Sequence, residues 1–199
     1  NFILYNVTQI YIDNRDWPGN NVKYWRHSEG KWRWVLYDTD FGFSGQWWSG
    51  WDLDNAYLAN TLAFALEPNG PGWPNPPWST LFFRKLVENL EFRNKFVNRY
   101  ADEMNSRFLA ERVVNHFISI YDNISNELVN HLDRWDSSMD SSNIYYYVDR
   151  MNNFALNRQP QAKEHILQEF ELPDYHKVTI ENQTPTYGFV SVNNNLKIQ

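Results

Sequence analysis

Apolar positions near the start of the chain fall at Ile3, Val7 and Ile10, a helical spacing that predicts a helix over residues 2–12. A polar loop, Asp13 to Asn21, follows it. Next, NVKYWRHSEGKWRWVLYD reads as a β-hairpin with arms Val22–Arg26 and Lys31–Tyr37 about a turn at His27–Gly30. Its second arm alternates Trp32, Trp34 and Leu36 against Arg33, Val35 and Tyr37, the period of a strand with one face covered. That arm runs straight into Asp38-Thr39-Asp40-Phe41-Gly42. Residues 43–78 are rich in Gly, Pro and Trp and predict a long loop, with one stretch, LANTLAFAL, of helical character. From Ser79, which reads as an N-cap, helical periodicity predicts helices over 79–90, 92–105, 109–134, 141–156 and 159–170. The third of these places Val114, Phe117, Ile118, Tyr121, Ile124, Leu128 and Leu132 along one face, the pattern of a long packed helix. Beyond Leu172-Pro173 the period changes to an alternation rich in β-branched residues, HKVTIENQTPTYGFVSVNNNLKIQ, broken at Thr184–Gly188 and Asn193–Asn195. The pattern therefore predicts an α+β, mainly helical chain: one domain over residues 1–172 and a β tail, or the start of a following module, over 173–199.

Composition narrows the function classes. At 199 residues, 42% hydrophobic and 21% charged, the chain suits one domain with a substantial core and is too apolar for disorder. A net charge of −6 without a basic stripe argues against nucleic acid as a partner. No apolar run reaches the roughly 20 residues of a membrane helix, so no membrane span is expected. The absence of cysteine removes disulfides, thiolate catalysis and Cys-based zinc sites. The chain opens NFILYNVTQIYI, with neither Met nor a signal-peptide pattern, and is expected to be a fragment beginning inside an element. Aromatic residues make up 18%, and the ten Trp crowd mainly into the first 80 residues, which suits either core packing or a ring-stacking surface for sugars. His27, His116, His131, His165 and His176 show no ligand spacing, and no Gly-x-Ser-x-Gly nucleophile motif occurs.

Phosphoryl transfer from a nucleotide needs a carboxylate to orient the attacking hydroxyl and accept its proton, and oxygen ligands to hold Mg²⁺ against the phosphates. Protein kinases supply these from D-x-x-x-x-N, a hairpin, and then D-F-G. Here Asp16 is followed by Asn21, then by the predicted hairpin, which ends at Asp40-Phe41-Gly42. Asp16 is then the candidate catalytic carboxylate, Asn21 lends an amide oxygen to a metal, and Asp40 is the principal Mg²⁺ ligand. If the strand continues that far, Asp38 points to the same face as Asp40 and supplies a second carboxylate. Simpler roles exist: Asp16 capping a Pro-Gly turn, and Asp38 orienting its loop. A dehalogenase-type D-x-D phosphatase wants Thr or Val where Gly42 stands and alternating βα units downstream. An EF-hand loop fails because Arg15 and Trp17 occupy positions that need oxygen ligands.

NRDWPGNNVKYWR followed by GKWRWVLYDTDFGF resembles the CotH family, the spore coat protein H-type atypical kinases, as do HLDRW at 131–135 and FALNRQPQAKEHIL at 154–167. The resemblance covers about residues 1–172 and implies a fold like the C-terminal lobe of a protein kinase. It implies that Asp16 is catalytic, that Asn21 and Asp40 bind metal and ATP, and that Asp38 is the first Asp of the family's D-x-D. It implies ATP with Mg²⁺ or Mn²⁺ as cofactors, a protein Ser or Thr as acceptor, and a place outside or on the surface of a bacterial cell. The family's N-terminal lobe is not represented, so the fragment alone is expected to bind ATP poorly; neither Lys23 nor Lys31 stands in for the missing phosphate-binding Lys. Arg15 occupies the place of the Arg in H-R-D, but Asn14 precedes it. The alternative is a non-catalytic scaffold whose segment from Trp47-Trp48 through Trp78 binds a glycan or a protein partner.

Overall fold

The computed structural model describes residues 1–45, 52–68, 74–135, 141–183, 185–193 and 196–198. In chain order its elements are α1 (Phe2–Tyr11), β1 (Lys23–Trp25), β2 (Arg33–Val35), α2 (Thr61–Leu66), α3 (Leu81–Val87), α4 (Leu90–Met104), α5 (Ala110–Trp135), α6 (Ser141–Glu169), β3 (Val190–Val192) and β4 (Leu196–Ile198). Single 3₁₀ turns occur at Ala56–Leu58 and Pro185–Tyr187. The fold is α+β and mainly helical, with two small antiparallel sheets, β1-β2 and β3-β4. Among the described residues no helix is long and apolar enough to cross a membrane.

α1 is the centre of the core. Val7, Ile10 and Tyr11 are buried as their helical spacing requires, and they meet Phe96, Tyr100 and Met104, which recur every four residues along α4. Tyr11 stacks on Phe108 with ring centroids 4.1 Å apart and donates its hydroxyl to the Phe108 carbonyl. Each fully buried side chain of this size contributes about 2–3 kcal/mol through removal of apolar area from water. α2 and α3 close one flank through Leu62, Ala65 and Phe83, and α6 closes another through Ala162 and Ile166.

α6 differs from the expectation of two helices broken between 156 and 159, because it runs unbroken through Pro160. Proline forfeits one intrahelical hydrogen bond, but its neighbours are pinned in the core. Arg158 is completely buried and makes five hydrogen bonds: Nε to the Tyr11 carbonyl, Nη1 to the Tyr57 and Ala59 carbonyls, and Nη2 to the Ile10 carbonyl and the Thr61 hydroxyl. Gln159 donates to the Met104 carbonyl at 2.6 Å. A guanidinium against the last carbonyls of α1 also complements the negative end of that helix.

The apolar face expected for the third predicted helix is narrower in α5. Val113 and Leu132 are buried and Val114, Phe117, Tyr121 and Leu128 are half-buried, but Ile118 and Ile124 are exposed. α5 packs chiefly on α6, and a helix covered mainly from one side buries only a seam. Ser79 is not the cap of α3, which starts after Thr80; the Ser79 hydroxyl bonds instead to Asn75 and the Pro76 carbonyl. The β tail is a short hairpin, with Val190 opposite Ile198, and His176–Glu181 forms no strand because no neighbouring strand pairs with it. Asn193 Nδ2 ties this hairpin to Asp102 of α4 at 3.0 Å.

His165 lies on α6 with only 9% of its surface exposed. Burial, and then the positive charge of Arg158, lowers its pKa to about 4 from 6.5. A depressed folded-state pKa gives stability that is complete above pH 6.5 and is lost as pH falls toward 4. The expected loss is on the order of 2–3 kcal/mol. Urea unfolding of the native chain and of His165→Gln, measured from pH 7 to pH 4, should show the steeper decline only in the native chain; parallel declines would remove His165 as the cause.

Candidate active site

α1 ends at Tyr11 and is capped by Ile12, and the chain leaves it through Asp13, whose φ of 54° lies in the left-handed region that Asp tolerates better than most residues. The next turns are tied inward by Asn14, which is buried: its Nδ2 donates to Gln9 Oε1 at 2.9 Å and its Oδ1 accepts from the Asp16 backbone N–H at 3.1 Å. Trp17 is buried beside it. Gly19 presses on the backbone at Pro74, where a Cβ would stand 2.3 Å from the carbonyl oxygen, so no larger residue fits without displacement. The loop is held from both sides, and Asp16 sits in it with 7% exposure.

Asn20 Nδ2 donates to both oxygens of Asp16 at 2.9 Å, and Asn21 Nδ2 donates to Oδ2 as well. Three amide hydrogen bonds fix the orientation of the carboxylate. Asn21 meets Asp16 through its NH₂, so its amide oxygen takes no part in that bond. Asn20 was not singled out by the motif; the paired Asn20-Asn21 four and five residues after Asp16 is the signal that could have found it.

The hairpin spans from this loop to the second acidic segment. Its register pairs Lys23 with Val35, Tyr24 with Trp34 and Trp25 with Arg33, so its ladder is shorter than the predicted arms. Trp34 alone of the alternating trio packs inward, 4.6 Å from the Phe2 ring, while Trp32 and Leu36 remain about half exposed. Trp34 is half-buried where the ribbon crosses the start of α1, and there Asn1 also bonds to both backbone groups of Trp34.

The strand does not continue to Asp38. Its φ of 51° breaks the extended chain, so alternation along a strand is not what aligns it with Asp40. A turn does so instead: Gly42 N–H bonds to the Thr39 carbonyl at 2.9 Å, and Gly45 N–H to the Gly42 carbonyl at 2.8 Å. A side chain at Gly42 would meet Ile12 at 2.9 Å, which makes glycine the residue that fits there. The turn is fastened to the Asp16 loop by two backbone bonds, Phe43 N–H to the Ile12 carbonyl at 2.7 Å and Arg15 N–H to the Phe41 carbonyl at 3.3 Å. Phe43 also enters between α5 and α6, edge-on to Phe117 and Phe154.

This turn brings the Asp38 and Asp40 carboxyl groups together. A hydrogen bond shared with Asp40 holds the Asp38 pKa above the ordinary carboxylate range, and partial desolvation and the charges of Asp40 and Asp16 push the same way. Lys23 on β1 opposes them. Asp38 thus lies beside Asp40 and feels the charge of Asp16, the carboxylate to which Asn21 is bonded. Among the described residues no three His, Asp or Glu are set to hold a metal unaided. The donors here are carboxylate and amide oxygens, and Mg²⁺ held by one or two carboxylates takes its other ligands from phosphates and water. Crowded like charges beside an amide oxygen fit such a cation, whose binding relieves their repulsion.

Arg15 pairs with Asp13, its Nε 2.6 Å from Oδ2. Lys31 is exposed, and the Lys23 ammonium lies 4.5 Å from the centre of the Tyr37 ring. Of the Trp-rich segment, Trp47, Trp48, Trp51 and Trp73 lie outside the described residues, and Trp78 is 65% exposed. The family model described as CotH kinase protein matches residues 1–161. No curated protein and no solved structure matches the chain.

Proposed function

The chain belongs to the CotH kinase family, and from that premise we propose that the full-length protein transfers the γ-phosphate of ATP to Ser or Thr hydroxyls of proteins in a Mg²⁺-dependent reaction. In this reading residues 1–172 form the equivalent of a protein kinase C-terminal lobe, with the Asp16 loop, hairpin and Asp40 turn as its catalytic edge; the CotH match over residues 1–161 supports it. The observation that carries it is the fastening of two acidic segments, far apart along the hairpin, by Phe43 N–H to Ile12 and Arg15 N–H to Phe41. A turn and an unrelated strand end have no need of that registration.

Asp16 orients the acceptor hydroxyl and takes its proton as the oxygen attacks the γ-phosphorus. The bond from that phosphorus to the β,γ-bridging oxygen breaks, and ADP leaves with the electron pair. Asp40 and Asn21 hold the cation, with Asp38 supporting Asp40. When bound, Mg²⁺ neutralises charge on the phosphates. The Asn20 and Asn21 amides keep the Asp16 carboxylate aimed without protonating it.

A second reading, a binding scaffold, draws on Trp25, Trp32 and Trp78, which are 50–65% exposed. The test that separates the two uses full-length protein, γ-labelled ATP and a mixed Ser/Thr protein acceptor, with Mg²⁺, Mn²⁺ or a chelator. Label in phosphoserine or phosphothreonine only when metal is present is the expected result. An unlabelled acceptor and an unlabelled enzyme under every metal condition would overturn the kinase reading.

A further inference from the structure

Asp13 has no part in the catalytic motif, yet it is an acidic side chain only 3% exposed. Its two oxygens are committed in different directions. Oδ1 accepts from the Thr61 hydroxyl at 2.5 Å, and Oδ2 pairs with Arg15 Nε at 2.6 Å. Thr61 opens α2 and itself receives a bond from the fully buried Arg158 at 3.3 Å. Arg15, on the other side, carries the backbone N–H that bonds to the Phe41 carbonyl, inside the Asp40-Phe41-Gly42 turn. A continuous chain of polar contacts thus runs from α6 through Arg158, Thr61, Asp13 and Arg15 to the backbone between Asp40 and Gly42.

We propose that Asp13 is a positioning residue that sets the registration of the Asp16 loop against the Asp40 turn by anchoring Arg15 to the rigid Arg158-Thr61 pair. Neither oxygen touches a position assigned to substrate, so its effect on chemistry passes entirely through Arg15. Burial raises its pKa above the ordinary carboxylate value, and Arg15, Arg158 and Thr61 offset that only in part. A residue that only needed to turn the chain after α1 could be Gly or Asn; the carboxylate has a use because both acceptors must be held at once.

Asp13→Asn tests this with little disturbance, since Asn also tolerates the left-handed backbone. One amide oxygen then has to serve two donors, so either Thr61 or Arg15 is released. The kinetic arm depends on the proposed kinase activity; the exchange arm does not. In the full-length protein the variant should keep its ATP KM and lose about 10- to 100-fold in kcat, the scale on which misplacement of reacting groups is felt. Amide hydrogen exchange should quicken about tenfold or more at Arg15 and Phe43, while the amides of α4 stay as protected as in the native chain. If native protein transfers phosphate and the variant matches its kcat, the positioning role is overturned and the kinase reading survives. If native protein transfers none, the kinase reading fails, and exchange alone decides: faster Arg15 and Phe43 amides support the role, and unchanged ones overturn it.

Discussion

Asp16→Asn is expected to lower phosphate transfer by the full-length protein some 10²–10⁴-fold, the usual contribution of a positioned general base. The side chain keeps its shape, and the fold does not depend on its charge. The immediate surroundings do change. Asp16 accepts from Asn20 on both oxygens and from Asn21 on one, so an amide there turns its own NH₂ toward a donor and gives up at least one bond. That local loss is about 1–3 kcal/mol and leaves a protein of ordinary stability folded. The measurement is single-turnover transfer at saturating ATP and Mg²⁺, with a thermal melt on the same preparation. A variant that melts like the native protein and still transfers phosphate at a comparable rate would remove Asp16 from the mechanism.

Arg158→Met should produce the largest loss of stability of any single change considered for this chain. The guanidinium is fully buried, and four of its five acceptors are backbone carbonyls, at Ile10, Tyr11, Tyr57 and Ala59. Methionine fills much of the volume and donates nothing, so carbonyls on α1 and on the turn before α2 lose their guanidinium donor together. Removing one partner from a buried charged network typically costs about 3–5 kcal/mol. For a chain of this length that corresponds to a fall in melting temperature of about 6–20 °C. Arg158→Lys should fall between the two, because an ammonium keeps the charge but cannot reach in the same fork. A melting temperature for Arg158→Met within about 3 °C of the native value would mean that water or rearranged backbone satisfies those carbonyls. The position of Arg158 also predicts a spread of the damage: loosening the end of α1 frees Asp13 and with it the entry to the Asp16 loop.

The legible parts of the sequence were those in which a local period coincides with burial. Ile3, Val7 and Ile10 announced α1, the Trp and Val of the hairpin announced a ribbon, and the order loop, hairpin, Asp-Phe-Gly located the acidic edge. Where burial depends on a distant neighbour, the pattern misled. α6 shows a proline in mid-helix and reads as two helices, but Arg158 and Gln159 fasten that region to residues more than fifty positions away. Ile118 and Ile124 continue an apolar face on α5, which packs chiefly on α6, and they stay exposed. His176–Glu181 alternates as a strand does, yet alternation supplies no hydrogen-bonding partner.

The candidate site divides in the same way. Sequence alone determined which side chains carry oxygen donors and in what order, because that is a property of residue type and spacing: Asp16, Asn21, Asp38 and Asp40. Tertiary structure decided how they meet. Asp38 reaches Asp40 through a left-handed turn rather than along a strand, and Asn20, which the motif passed over, grips both oxygens of Asp16. The two acidic segments are joined by backbone bonds from Phe43 to Ile12 and from Arg15 to Phe41, and the buried Asp13 beside them accepts from Thr61 of α2, which in turn accepts from Arg158 of α6. Those bonds close long loops, and a one-dimensional pattern is silent about them because their energy appears only after distant parts of the chain have packed.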